Sequence, residues 1–248
     1  MISIIVLSKN SCATIKKTLD SSRTFSEVIL LDTGSTDATL HIATSYPNVK
    51  IFTSDFLGFG KLRNLAAAFA SHDWILALDS DELLSDSLIQ EIHNTPLDPN
   101  TVYSFPFHNF YKGKQVKCCG WHPESHIRLY HRKKTSFKEY EVHEGVRIND
   151  LNIHSFKHPI HHFPYRSIDD FLNKMQHYTS LFAKQHKHKK KSSFLTAFLH
   201  GSCAFFKSYL LKKGLFYGSI GFVIATYNAS TAFYKYLKLA DENLKPPE

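Results

Sequence analysis

Three clusters of residues have the types and spacing for chemistry. The first is Asp79-Ser80-Asp81, which closes the apolar run Trp74-Ile75-Leu76-Ala77-Leu78. Two carboxylates at i and i+2, leaving a strand, converge on one cation where the backbone turns. Mg²⁺ and Mn²⁺ prefer oxygen ligands, and Mg²⁺ commonly takes one or two carboxylates together with substrate phosphates. Such an ion neutralises charge on a departing diphosphate. The same residues also suit a helix start, with Ser85 or Asp86 as its cap. An isolated D-x-D is a weak signal, and its place after an apolar run strengthens it.

The second cluster is Asp32-Thr33-Gly34-Ser35-Thr36-Asp37. The Asp32 carboxylate suits the imino N–H of a uracil or the hydroxyls of a ribose. It would equally serve as a turn residue, with Ser35 or Thr36 as a helix cap, and the two roles are compatible. The third is Gly58-Phe59-Gly60-Lys61-Leu62-Arg63-Asn64. Its glycines permit close backbone approach, and a helix start with cations favours an anion. It is not G-x-x-x-x-G-K-[ST], which excludes a Walker-type phosphate loop. A solvated helix face is the other reading of Lys61.

The elements that must position these clusters follow from periodicity. Short apolar runs alternate with helical patterns over the first ~95 residues, which predicts βαβ units and a mostly parallel sheet. Strands are expected at Ile2–Leu7, Glu27–Asp32, Val49–Thr53 and Asp73–Leu78, and helices at Ser11–Ser22, Ser35–Ser45 and Lys61–Ala70. Runs such as Val28-Ile29-Leu30-Leu31 lack alternation, as in strands buried on both faces. Ligands of open α/β sheets bind outside the carboxyl ends of the strands, where all three clusters fall. From Thr101 to about Ile160 short strands, turns and many His and aromatic residues follow. The remainder reads as helical: Asp169–His186, Phe194–Leu211 and Leu215–Leu239. A fold of two parts is expected: a catalytic domain over 1–165, with a nucleotide-sugar half at 1–98 and an acceptor half at 99–165, and a helical extension over 166–248.

Composition narrows the class. With 43% hydrophobic residues in 248, the chain can bury a core and is not globally disordered. Cys12, Cys118, Cys119 and Cys203 form no C-x-x-C, so neither a structural zinc site nor a disulfide framework is expected. A reduced, cytosolic setting is the simpler reading. Ile2–Leu7 is too short for the apolar region of an export signal. The net charge of +8 points to an anionic partner. Nucleic acid is not expected, because no RNA- or DNA-binding signature is present. Gly214 to Tyr234 carries no charge and lies near the ~20 residues that span a bilayer. Gly218, Ser219, Gly221, Thr226, Asn228, Ser230 and Thr231 weaken insertion, so association at the membrane interface ranks ahead of a soluble core helix or a span. The basic run His186–Lys191 favours anionic lipid.

In this order and spacing, the clusters resemble family 2 glycosyltransferases with the GT-A fold. Ser8-Lys9-Asn10, Gly120-Trp121-His122-Pro123, Arg128-Leu129-Tyr130, Val142-His143-Glu144, His162-Phe163-Pro164-Tyr165-Arg166-Ser167 and the Lys213-Gly214 to Gly221-Phe222 segment look like the lipopolysaccharide-core β-1,4-glucosyltransferase subgroup. The likeness covers nearly the whole chain and is specific for the family more than for the sugar. It implies a divalent metal, Mg²⁺ or Mn²⁺, and a nucleotide-sugar donor. Asp32 would contact the base, Arg63 the nucleotide phosphates or base, and Asp79 the ribose and metal side, with Lys61 a further donor-binding candidate. Asp81 would be the direct metal ligand, joined by a later histidine, His162, with His161 as competitor. Trp121 and Arg128 would line the acceptor or donor cleft. Many relatives carry acidic residues after the first Lys-Asn, where this chain has Ser11 and Cys12.

An inverting transfer needs a base for the attacking hydroxyl. Glu144 is the first candidate, already deprotonated at neutral pH, and His143 the second. In an extended segment the two would point to opposite faces. The implied reaction moves a hexose, glucose from UDP-glucose, to a lipopolysaccharide-core or other lipid-linked saccharide at the cytoplasmic face of the inner membrane. The rival expectation is a catalytically silent, membrane-docked glycan-binding or interaction module of the same fold.

Overall fold

The computed structural model describes residues 1–139 and 145–245, which leaves His143 and Glu144 outside the described residues. Two compact units emerge: Met1–His108 with Glu124–Phe163, and Asn109–Pro123 with Pro164–Glu248. The segment 109–123, which the sequence placed with the acceptor half, thus groups with the helices.

In the first unit, β1 (Ile2–Ser8), β2 (Glu27–Asp32), β3 (Val49–Thr53) and β4 (Trp74–Asp79) lie parallel in the order β3-β2-β1-β4. Next along the chain come β5 (Glu82–Leu84), β6 (Thr101–Tyr111), β7 (Lys114–Gln115), β8 (Ser125–His131), β9 (Asn152–Ser155) and β10 (Ile160–His162). The sheet continues past β4 as β8-β6-β10-β5, and β9 also pairs with β6. It turns mixed at this point: β8 is antiparallel to β4, β6 to β8, and β10 to β5. The continuous parallel run expected of the sheet is confined to β3-β2-β1-β4, and beyond it only the β6–β9 pair is parallel among the described pairings.

Successive residues of the central strands feed opposite cores, because side chains alternate across a sheet. Ile4, Val6, Val28, Leu30, Leu76 and Leu78 enter one cluster, and Ile5, Leu7, Ile29, Leu31, Ile75 and Ala77 the other. Helix α1 (Ile15–Ser21) covers the first face with Ile15 and Leu19. Helix α2 (Thr39–Ala43) adds Ala43 there. Helix α3 (Phe59–Phe69) covers the second face with Leu62, Ala66 and Ala67. Helix α4 (Asp86–Asn94), capped by the Ser85 hydroxyl on the Leu88 N–H, returns to the first with Leu88 and Ile92. Each fully buried Leu or Ile contributes about 1.5–3 kcal/mol.

At the amino end of β2, Glu27 is 4% exposed. Its Oε2 accepts from the Ser3 hydroxyl at 2.5 Å and the Ser71 N–H at 2.7 Å. Its Oε1 accepts from Lys50 Nζ and the Ser71 hydroxyl, each at 2.7 Å. Burial alone would raise its pKa, but these donors outweigh that and lower it to about 2.

The second unit holds α5 (Ile168–His186), α6 (Phe194–Phe206) and α7 (Gly218–Leu244), with a π-turn at Lys207–Leu211 and a 3₁₀ turn at Gly214–Tyr217 between the last two. A capping box of Ser167 and Asp170 starts α5. Helix α6 turns Ala197 and Gly201 inward, and a Cβ on Gly201 would lie 3.0 Å from Phe233 Cβ, so the small residue permits the close approach of α7. The polar residues noted between 214 and 234 do packing work. Asn228 Nδ2 donates to the Cys119 carbonyl at 3.1 Å and to Ser208 Oγ at 3.0 Å. Among the described residues no helix is long and apolar enough to cross a membrane.

Candidate active site

The carboxyl ends of β1, β2 and β4 carry the residues of interest. Two loops there are tied together. Asp32, 1% exposed, accepts at Oδ1 from the Ser8 and Ser35 hydroxyls at 2.8 and 2.5 Å. Its Oδ2 accepts from the Gly34 and Ser35 N–H groups at 2.9 and 2.7 Å. Burial pushes its carboxyl up, and these donors hold it below the usual range all the same. Asn10 Oδ1 accepts from the Thr36 N–H at 2.8 Å, and Asp37 Oδ2 from the Cys12 N–H at 3.1 Å. Those side-chain bonds keep residues 35–37 out of the helix, so α2 starts only at Thr39. Ser11 bonds its hydroxyl to that of Ser80 at 2.8 Å. The first loop therefore touches the D-x-D turn directly.

The D-x-D turn itself sorts its acids. Asp79 Oδ1 takes the Arg63 Nη2 at 2.6 Å, and its Oδ2 takes the Arg128 Nη2 at 3.1 Å. Burial would raise the Asp79 carboxyl, but the two guanidiniums hold it well below the ordinary range. Glu82, fully buried, accepts the same Arg128 Nη2 at Oε1 at 2.6 Å and the Asp79 N–H at Oε2 at 2.9 Å. Burial drives its carboxyl well upward, aided by the charges of Asp79 and Asp81 and opposed by Arg128. Arg63, expected near the nucleotide phosphates or base, is 2% exposed and stacks 5.2 Å from the Phe137 ring centroid, so it braces Asp79. Lys61 is exposed at the start of α3.

Asp81 faces elsewhere. Its Oδ1 lies 3.6 Å from His162 Nε2, with about a fifth of each side chain exposed. The placement is backbone-controlled: His162 pairs with Glu82 across β10 and β5, and the Phe163 N–H donates to the Asp81 carbonyl at 3.0 Å. His161, the competing candidate, stacks on His108 at 6.0 Å, and burial lowers its pKa. One carboxylate oxygen and one imidazole nitrogen at this separation fit a shared divalent cation whose other ligands come from a diphosphate. Among the described residues no group of three His, Cys, Asp or Glu side chains forms a metal site by itself.

Beside Asp79 opens a pocket of about 380 Å³, lined by Arg63, Arg128, Phe137, Lys138 and Gly145 among others. Gly145 directly follows His143-Glu144 in the chain. Gly60 turns out to serve protein packing: a Cβ there would lie 2.0 Å from the Lys138 carbonyl oxygen. Trp121 lies in the second unit, stacked with Tyr165 at 5.5 Å, and Tyr165 stacks on Phe171 at 3.9 Å. Sequence reasoning missed the role of Glu82 and the double pairing of Arg128. Only the acidic run Asp79–Glu82 hinted at the former.

Known proteins bear on this geometry. The model of the family described as "Glycosyl transferase family 2" matches residues 3–139, more than half of the chain. An uncharacterized glycosyltransferase of Rickettsia prowazekii (strain Madrid E) is 30% identical over 261 aligned positions, covering 98% of this chain and 88% of the relative. The lipopolysaccharide core biosynthesis glycosyltransferase LpsC of Rhizobium meliloti (strain 1021) is 22% identical, covering 96% and 91%. Among solved structures, S. aureus TarS 1–349 in complex with UDP-GlcNAc aligns with a TM-score of 0.49 at 17% identity, covering 92% of this chain and 90% of that one. With its parallel β3-β2-β1-β4 half, its mixed continuation and the family match, the chain belongs to glycosyl transferase family 2 and has the GT-A fold.

Proposed function

We propose that this glycosyltransferase moves a hexose, glucose from UDP-glucose, with inversion onto a lipopolysaccharide-core or other lipid-linked saccharide. The observation that carries the reading is the approach of Asp81 and His162 to 3.6 Å at the carboxyl end of the sheet, beside an Asp79 already held by two arginines. Asp81 and His162 would hold Mg²⁺ or Mn²⁺. When bound, that ion offsets the charge of the departing diphosphate. UDP-GlcNAc in the TarS complex and the name of LpsC support a nucleotide-sugar donor and a lipopolysaccharide acceptor.

The chain's own residues do the rest. The Asp32 loop receives the uracil end of the donor and Lys61 the phosphate side. Asp79, kept ionised by Arg63 and Arg128, faces the ribose. Arg128 also fixes the wall of the pocket where the sugar and acceptor meet. Trp121 belongs to the acceptor side. Glu144 takes the proton from the acceptor hydroxyl, with His143 as the second candidate. The acceptor oxygen bonds to the anomeric carbon as the bond from that carbon to the diphosphate breaks, and the nucleoside diphosphate leaves. No covalent sugar–enzyme intermediate forms. Transfer takes place at the cytoplasmic face of the inner membrane, against anionic lipid.

Calorimetric titration of UDP with Mn²⁺ tests the donor site. Wild type should bind, and Asp81→Ala should weaken Mn²⁺-dependent binding by about tenfold or more. Equal binding by both proteins would sink the assignment. A thermal-shift screen of nucleotide sugars then identifies the donor. Glu144→Gln should keep donor binding and lose transfer by roughly 10²–10⁴-fold.

A further inference from the structure

The apolar C-terminal sequence suggested that residues 214–234 meet the membrane, but most of that stretch lies inside α7. The residues at its core, Gly221, Ile224 and Ala225, are buried. The densest run of exposed apolar side chains in the second unit lies on α6 and the turns after it; Ile168, Leu172, Phe222, Tyr234 and Leu244 are exposed singly or in smaller sets on α5 and α7. Between Phe194 and Phe206 there is no charged residue. Ala197 and Gly201 take the inward face. The outward face carries Leu195 (64% exposed), Phe198 (53%), Leu199 (53%) and Phe206 (58%). Leu211 and Phe216, each 80% exposed, extend it through the turns. A surface helix usually puts polar groups on that side, and so large a contiguous apolar face marks an interaction site.

The charges around this face identify its partner. Residues 171–240 contain eleven lysines and no aspartate or glutamate. Lys189 and Lys191 lie just before α6, and Lys207, Lys212 and Lys213 just after it, all exposed. Pairing two such faces in a dimer would bring two lysine sets together. An anionic bilayer satisfies both features at once: acyl chains accept the aromatic and leucine side chains, and headgroups accept the ammoniums. Thirteen residues give α6 a length of about 20 Å, short of the ~30 Å hydrocarbon core, so the helix suits lying in the interface.

We propose that α6 and the turns through Phe216 form a docking surface for anionic membrane, with α6 lying along the interface. The inference deepens the membrane-side acceptor reading above and assigns the contact to α6, away from α7. Co-sedimentation of the full chain with phosphatidylcholine vesicles, with and without phosphatidylglycerol, tests it. Wild type should bind only the vesicles containing phosphatidylglycerol, and less so as salt rises. Phe198→Glu with Leu199→Glu should weaken binding by about tenfold or more, and Lys189→Ala with Lys191→Ala by about threefold to tenfold. Both variants should keep wild-type circular dichroism and wild-type affinity for UDP with Mn²⁺. Failure of wild type to bind either vesicle overturns the proposal, as does undiminished binding by the Phe198/Leu199 variant. A wild-type dimer in solution that this variant converts to monomer also overturns it, in favour of a second copy. Vesicle binding through α6 without any UDP affinity supports the surface and counts against the donor reading alone.

Discussion

The two ends of the central strands each bury a glutamate, and they use it differently. At the amino end, Glu27 meets only neutral hydroxyls, one N–H and one lysine, and every contact serves the fold. At the carboxyl end, Glu82 shares one guanidinium with Asp79, so two acids lean on Arg128 while Asp79 stays 36% exposed beside an open pocket. The contrast teaches that burial of a carboxylate does not mark function by itself. What sets the proposed site apart is a paired acid left partly open to a cavity.

Substitution can break this comparison. Arg128→Met should have the largest effect: it takes away the guanidinium shared by Asp79 and buried Glu82, leaving two acceptors unsatisfied at a cost of about 2–5 kcal/mol of stability in chemical denaturation. Donor affinity should fall as well, since Asp79 loses one of its two holders. Glu27→Gln should cost about 2 kcal/mol in the same assay and leave UDP affinity unchanged. A change in UDP affinity in that variant would erase the distinction between the two ends. The Glu27 effect has a definite sign with pH. Its folded pKa of about 2 lies below the ordinary 4.5, so its contribution is full above pH 4.5 and is lost as pH falls toward 2. Wild type should therefore lose stability through that window more steeply than Glu27→Gln. Gly60→Ala should cost about 1–3 kcal/mol, because the Lys138 backbone carbonyl, 2.0 Å from the new methyl, must move away. It should lower transfer more than donor affinity, since the displaced backbone borders the pocket.

What the sequence disclosed follows physical range. Strands β2 and β3 fall at their expected bounds, since an apolar run between turn residues is a local signal. Helix α2 is shorter than its pattern suggested, because Asn10 and Asp32 reach Thr36 and Ser35 from other elements. His162 lies 3.6 Å from Asp81 through a strand pairing to which periodicity offered no clue. The pairing of Arg128 with Glu82 spans 46 residues, and no local pattern encodes it. The apolar stretch 214–234 drew notice by lacking charge, yet hydropathy cannot say which apolar helix is covered. That depends on the small inward face of α6, which seats α7 and leaves its own phenylalanines outside.

The antiparallel register that sets His162 opposite Glu82 also governs tolerance to change. A strand that slips by one residue presents its neighbour in the old place. On one side that neighbour is His161, so a single-residue insertion in the loop between β9 and β10, absorbed by a slip of β10, brings a second histidine to the same spot, whereas a deletion brings Phe163. The doublet is thus a spare for one direction of slip only: the imidazole position survives an added residue before the strand and is lost to a missing one.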